Sequence, residues 1–168
     1  LVVAMDALGH GPLAAAAALR AAQVFADGAG DPIGELCRRV HRALAGGRGV
    51  VVSLASFDGR AGMMTWAGIG NVEGVLVRGS ARRPATRSGL VTLGGILGGE
   101  FPEVRAQQLP IDPGDVVVFA TDGVSREFVN AVDATVEPSQ LAANLLAQFH
   151  KGTDDALVLA IRYTGREQ

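Results

Sequence analysis

Apolar and polar positions follow two periods along this chain, and the change from one to the other marks where elements begin and end. Leu1 to Met5 is an apolar run of strand length that stops on a carboxylate, Asp6, and breaks into the turn Gly9-His10-Gly11. Gly11-Pro12 suits a helix start, since proline at the first helical position loses no hydrogen bond. The stretch Leu13 to Ala26 is apolar nearly all round, with Arg20 and Gln23 the main exceptions, so it predicts a helix buried over most of its surface. Asp27 to Gly30 is a breaker, and Asp31-Pro32 reads as N-cap and first turn of a second helix. In that helix Ile33, Leu36, Cys37, Val40 and Leu44 fall on one face and Arg38, Arg39, His41 and Arg42 on the other, before Gly46-Gly47 ends it.

Strand-like runs then dominate. Val50 to Phe57 and Met63 to Ile69 flank a hairpin signal at Asp58-Gly59, and Val75 to Arg78 follows a turn at Gly70-Asn71, so the three predict a meander. Gly79 to Gly99 reads as loop, with Arg82, Arg83, Arg87, two Gly-Gly pairs and a short strand at Leu90 to Leu93. A strand near Val104 to Leu109 precedes the turn Asp112-Pro113-Gly114, and the run Val116 to Thr121 ends on Asp122. A third helix is predicted from Pro138 to His150, ahead of a closing strand, Ala156 to Ile161, that begins just after Asp154-Asp155. The order is not a regular alternation of strand and helix. It therefore disfavours a parallel doubly wound sheet and predicts an α+β domain of mainly antiparallel sheet with segregated helices, spanning residues 1–168 as one unit.

Three carboxylates thus sit at strand tips, Asp6, Asp122 and Asp154, with Asp155 not separable from Asp154 by pattern. If the last strand runs antiparallel to the other two in one sheet, all three gather at one edge, where carboxylate oxygens suit magnesium or manganese. Alone, each has a plainer reading: Asp6 as a helix-capping group, Asp122 as part of an Asp-Gly turn, Asp154 as a turn residue before a strand.

Composition narrows the partners. The 168 residues are 48% hydrophobic and 19% charged with net charge −2, which fits a globular chain and gives no electrostatic footprint for nucleic acid or a membrane surface. No run approaches the ~20 apolar residues that span a bilayer. A single cysteine, Cys37, excludes an internal disulfide framework and fits a reducing, cytoplasmic setting.

Taken together, Asp6-Ala7-Leu8-Gly9-His10-Gly11, Thr121-Asp122-Gly123, Asp154-Asp155 before the final strand, and Gly68-Ile69-Gly70-Asn71-Val72-Glu73 between them resemble the metal-dependent protein phosphatases of the 2C type, in their bacterial SpoIIE and RsbX branch. The resemblance covers nearly the whole chain. It implies a four-layer α/β/β/α sandwich and two Mn²⁺ or Mg²⁺ ions. It also implies a bridging carboxylate from Asp6, a backbone carbonyl from Ala7, further carboxylates from Asp122 and Asp154, and activity on phosphoserine or phosphothreonine. Its implied substrate is a phosphorylated regulatory protein of the STAS, anti-anti-sigma or stressosome type, within stress response and sigma factor regulation. The family's glycine after the first Asp is Ala7 here, and an earlier strand carrying another acidic ligand is expected ahead of Leu1. A non-catalytic binding module on the same fold is the competing expectation.

Other residues have assignable roles. His10 can protonate a leaving group or simply serve the turn. His41 and His150 are expected at the surface, Cys37 in the core. Arg78, Arg82, Arg83 and Arg87 could recognise an acidic or phosphorylated partner, but are expected to be a solvated loop. The Gly-Gly pairs fit turns better than a phosphate-binding loop.

Overall fold

The computed structural model describes residues 1–79 and 86–165. Arg82 and Arg83 lie outside the described residues. The chain divides into two compact units, one of Leu1–Ser56, Thr65–Val72 and Thr92–Gln108, the other of Phe57–Met64, Glu73–Val91 and Leu109–Gln168. Its elements are β1 (Val2–Ala7), α1 (Pro12–Asp27), α2 (Ile33–Leu44), β2 (Val50–Asp58), β3 (Met63–Ile69), β4 (Glu73–Val77), β5 (Arg87–Leu90), β6 (Gln107–Pro110), β7 (Val116–Ala120), α3 (Phe128–Ala131), α4 (Pro138–Phe149) and β8 (Val158–Arg162). One sheet has the order β1-β2-β3-β6 and the other β5-β4-β7-β8. Mixed helix and antiparallel sheet, as the element order predicts, is what the chain forms.

In the first unit, the inward stripe of α2 packs with Ala17, Ala21, Val24 and Phe25 of α1 onto Val50, Val52 and Leu54 of β2. The period of 3.6 on the helix meets the period of 2 on the strand, which puts every apolar residue of that stripe inside. Leu36, Cys37 and Val40 are fully buried. Burial raises the Cys37 thiol to about 12, so the nucleophilic thiolate is all but absent near neutral pH. Iodoacetamide at about pH 8 should therefore leave Cys37 unmodified in the native protein and alkylate it after unfolding, as read by mass spectrometry. Rapid labelling of the native state would contradict this packing.

α1 differs from the expectation of burial nearly all round: Leu13 is 68% exposed and Leu19 73%. Alanine fits any face, so the composition of α1 does not reveal that only the stripe through Ala14, Ala17, Ala21, Val24 and Phe25 is covered. Asp31 is not a helix cap either. The residue before α2 is Pro32, without a side-chain cap, and the Asp31 carboxylate pairs with Arg39. His41 is drawn in rather than left on the surface: its Nδ1 accepts the Gly98 N–H at 3.1 Å and its ring stacks on Phe101 at 4.6 Å.

The meander is broken. β2 and β3 are neighbours in the first sheet, but β4 joins the second, between β5 and β7. The crossing is made at Gly68 to Val72, where Gly70 takes φ +89° and lies so close to Val51 that a β-carbon would come within 2.2 Å of its Cγ1. The buried Ser53 hydroxyl donates to the Val72 carbonyl at 2.6 Å. Part of the resemblance motif is thus a backbone device for leaving the sheet.

The second unit packs α3 and α4 on its own sheet: Phe128, Leu141 and Leu145 meet Val75, Val116, Val118 and Ala120. Two of the arginines read as solvated loop, Arg78 and Arg87, are structural. Arg78, whose side chain is 10% exposed, donates at 2.7 Å both to the fully buried Asp115 carboxylate and to the Pro110 carbonyl. Arg87 donates to the Val132 carbonyl at 2.7 Å.

Candidate metal centre

Asp6 and Ala7 close β1. They pair in register with Val51 and Val50 of β2, and the Leu8 N–H extends the ladder to the Gly49 carbonyl at 3.0 Å. Both are half-buried, at the last ordinary strand positions before the chain turns. Ala7 needs no glycine, because no described residue other than glycine has a positive φ. The turn itself does: Gly9 and Gly11 take φ +78° and +83°, the left-handed region that a side chain resists. A β-carbon on Gly9 would also fall 2.2 Å from Nη1 of Arg48, the group that donates to the Leu8 carbonyl at 3.0 Å. Arg48 therefore clamps the turn that follows the carboxylate. His10 is exposed at its tip and makes no hydrogen bond or ion pair among the described residues.

The segments that carry Asp122 and Asp154 are brought alongside each other by sheet pairing in the second unit. β7 and β8 run antiparallel with Ala120 opposite Val158, so the residues just after β7 lie beside those just before β8. Thr121 fastens the two: its N–H donates to the Leu157 carbonyl at 3.1 Å, and its hydroxyl accepts the Leu157 N–H at 2.9 Å. Gly123 then runs so close to the other arm that a β-carbon would sit 2.2 Å from the Asp155 carbonyl oxygen. The glycine of Thr121-Asp122-Gly123 is required by this close approach, not by its φ. Lys151 holds the far side, its N–H on the Gly123 carbonyl at 2.9 Å and its ammonium on the Asp122 carbonyl at 2.7 Å.

The two candidates at the start of β8 differ in engagement. The Asp154 carboxylate accepts its neighbour's N–H, from Asp155, at 2.8 Å, and its carbonyl lies 3.2 Å from Nε2 of His150. Asp155 instead lends its backbone to the contact with Gly123. Both side chains are exposed and Asp122 is half-buried. Lys151 and His150 were not legible as members of this region, because a cation closing a helix has an ordinary reading of its own.

The expectation that all three acidic tips share one sheet is overturned. β1 belongs to the sheet β1-β2-β3-β6, whereas β7 and β8 belong to β5-β4-β7-β8, so the strands leading to Asp122 and Asp154 are paired with each other but not with the strand of Asp6. Among the described residues no group of three or more His, Cys, Asp or Glu is arranged to hold a metal ion. The donors themselves fit magnesium or manganese: carboxylate oxygens at positions 6, 122 and 154 and a main-chain carbonyl at 7 are hard ligands, without the thiolate or imidazole set that would favour zinc. No helix among the described residues is long and apolar enough to cross a membrane.

The family model of Stage II sporulation protein E (SpoIIE) matches residues 1–164. Among solved structures, one described under the bacterial stressosome, a modular system adapted to control secondary messenger signalling, is 25% identical at a TM-score of 0.83, with 95% of this chain and 83% of that one covered. RsbX in complex with magnesium is 18% identical at a TM-score of 0.80, covering 94% of this chain and 77% of that one. The catalytic domain of the serine/threonine protein phosphatase PstP, in complex with two manganese ions, is 17% identical at 0.63, covering 94% and 86%. The last two likenesses concern the fold. No curated protein matches the chain.

Proposed function

Because the chain belongs to the SpoIIE family, whose model takes in residues 1–164, we propose that it is a metal-dependent serine/threonine protein phosphatase acting on a small phosphorylated regulatory protein of the STAS or anti-anti-sigma kind. The observation that carries the reading is the β7–β8 pairing, which runs the segment after β7, bearing Asp122, alongside the segment before β8, bearing Asp154, with Gly123 allowing their close approach. In this reading Asp6, Asp122 and Asp154 supply carboxylate ligands and Ala7 a carbonyl. Two bound Mg²⁺ or Mn²⁺ ions would supply charge that neutralises the phosphoryl oxygens and makes a water nucleophilic near neutral pH. Arg48 keeps the turn after Asp6 in shape, Lys151 does the same for the Asp122 carbonyl, and the exposed imidazole of His10 delivers a proton to the departing serine or threonine oxygen. The substrate class is supported by the likeness to the chain described under the bacterial stressosome.

The deciding experiment is hydrolysis of a phosphoserine STAS protein and of p-nitrophenyl phosphate, with manganese and then with excess chelator. Turnover is expected with metal only. Asp154→Asn should then lower activity far more than Asp155→Asn, since the Asp155 side chain is not needed for the contact its backbone makes with Gly123. The reverse ranking would move the ligand to Asp155. Metal binding by calorimetry without turnover would instead identify a binding module on the phosphatase fold.

A further inference from the structure

One groove lies away from the carboxylates of the proposed chemistry. It holds about 630 Å³ in the first unit, between the exposed side of α1 and the turn that ends α2. Leu13, Ala16, Ala17 and Arg20 form its α1 wall, at spacings of three, four and seven residues that put them on one stripe. Leu44 and Arg48 stand opposite, and the intervening Ala45, Gly46 and Gly47 are too small to fill the space. The floor is apolar and Leu13 is 68% exposed over it. No carboxylate lines it.

Its two charged groups are guanidinium ions with donors to spare. Among the described residues Arg20 makes no hydrogen bond or ion pair, and Arg48 makes one, to the Leu8 carbonyl. Arginine carries five N–H donors, so both retain forks suited to carboxylate. By contrast Arg38, Arg39 and Arg42 on α2 are each paired with Glu35 or Asp31. Among the described residues, Arg20 and Arg48 thus set two positive charges without a carboxylate partner beside an apolar floor.

We infer that this groove docks an acidic peptide segment of a partner protein, one that lays a leucine-sized side chain over Leu13 and Ala16 and presents carboxylates to Arg20 and Arg48. Charge complementarity selects this occupant. A second copy of the chain would bring Arg20 and Arg48 against themselves across a twofold axis, and like charges there repel. An anionic membrane is recognised by clusters of roughly four to eight basic residues, more than this groove presents.

The test uses the whole chain and a short fluorescein-labelled peptide of Leu-Glu-Glu-Leu repeats, followed by anisotropy, with the Leu-Gln-Gln-Leu peptide as comparison. The glutamate peptide should bind at roughly 0.1 M salt and be released at roughly 1 M. The glutamine peptide and the Arg20→Gln variant should each bind about tenfold more weakly, and Arg20→Lys should recover part of the loss. Leu13→Asn, which leaves both cations in place, should weaken binding as well. Because Arg20 is exposed on a helix, circular dichroism and the melting temperature should not move in Arg20→Gln. Equal affinity for the two peptides, no binding of either, unchanged binding by Arg20→Gln, or a dimer that buries Leu13 would each overturn the inference. Asp122→Asn should bind the peptide as the parent does, so this result is independent of the phosphatase reading.

Discussion

Asp122→Asn is expected to abolish metal-dependent phosphoester hydrolysis while leaving the protein folded. The substitution keeps size and shape but removes the negative charge and replaces one hard oxygen by an amide nitrogen, a poor ligand for magnesium or manganese. Loss of several kcal/mol of transition-state stabilisation corresponds to a fall in kcat/KM of about a hundredfold or more. The scaffold should not notice. Asparagine leaves in place the bonds made at this turn by the Thr121 hydroxyl and backbone, the Gly123 carbonyl and the Asp122 carbonyl. Manganese titration should show weakened binding in parallel with the loss of turnover, at an unchanged melting temperature. A variant as active as its parent would remove Asp122 from the metal centre.

Asp115→Ala is expected to have the largest effect on stability. The Asp115 carboxylate is fully buried and accepts the Arg78 guanidinium and the N–H groups of Gly79 and Asp112, at 2.7, 3.1 and 3.0 Å. Alanine would strand Arg78, itself 10% exposed, in a site without its counter-charge. Breaking one partner of a buried pair costs about 3–5 kcal/mol. For a chain of this size that is a drop in melting temperature of about 10 °C. Asp115→Asn, which retains an acceptor, should fall between parent and alanine. Urea unfolding followed by circular dichroism measures both, and an alanine variant within about 0.5 kcal/mol of the parent would show that the pair is solvated in practice.

Local chemistry was legible in the sequence where it was written in neighbouring residues. β1, α2, β7 and β8 announce themselves by apolar period and by the turn residues that stop them, and the two carboxylates at the β7 and β8 tips follow from those boundaries. What could not be read depends on residues far apart. Nothing near Asp115 marks it as the partner of Arg78, 37 positions earlier. The same holds for His41 under Phe101, and for β4, whose strand signal is clear but whose sheet is decided by the crossing at Gly70. α1 failed for a different reason: a side chain as small as alanine carries too little apolar surface to say which way the helix faces. α3, at four residues, is too short to show a period.

The loop ahead of β8 is anchored at both ends to the turn beyond β7, through Lys151 and Gly123 on one side and Leu157 and Thr121 on the other. Residues 152 to 156 therefore bridge a fixed gap with little slack, and adding or deleting one of them would shift Asp154 relative to Asp122 before it strained either strand. Chain length between those anchors, as much as the acidic residue itself, sets the span between the two carboxylates, and a relative that keeps both aspartates but changes that length would hold them at a different separation.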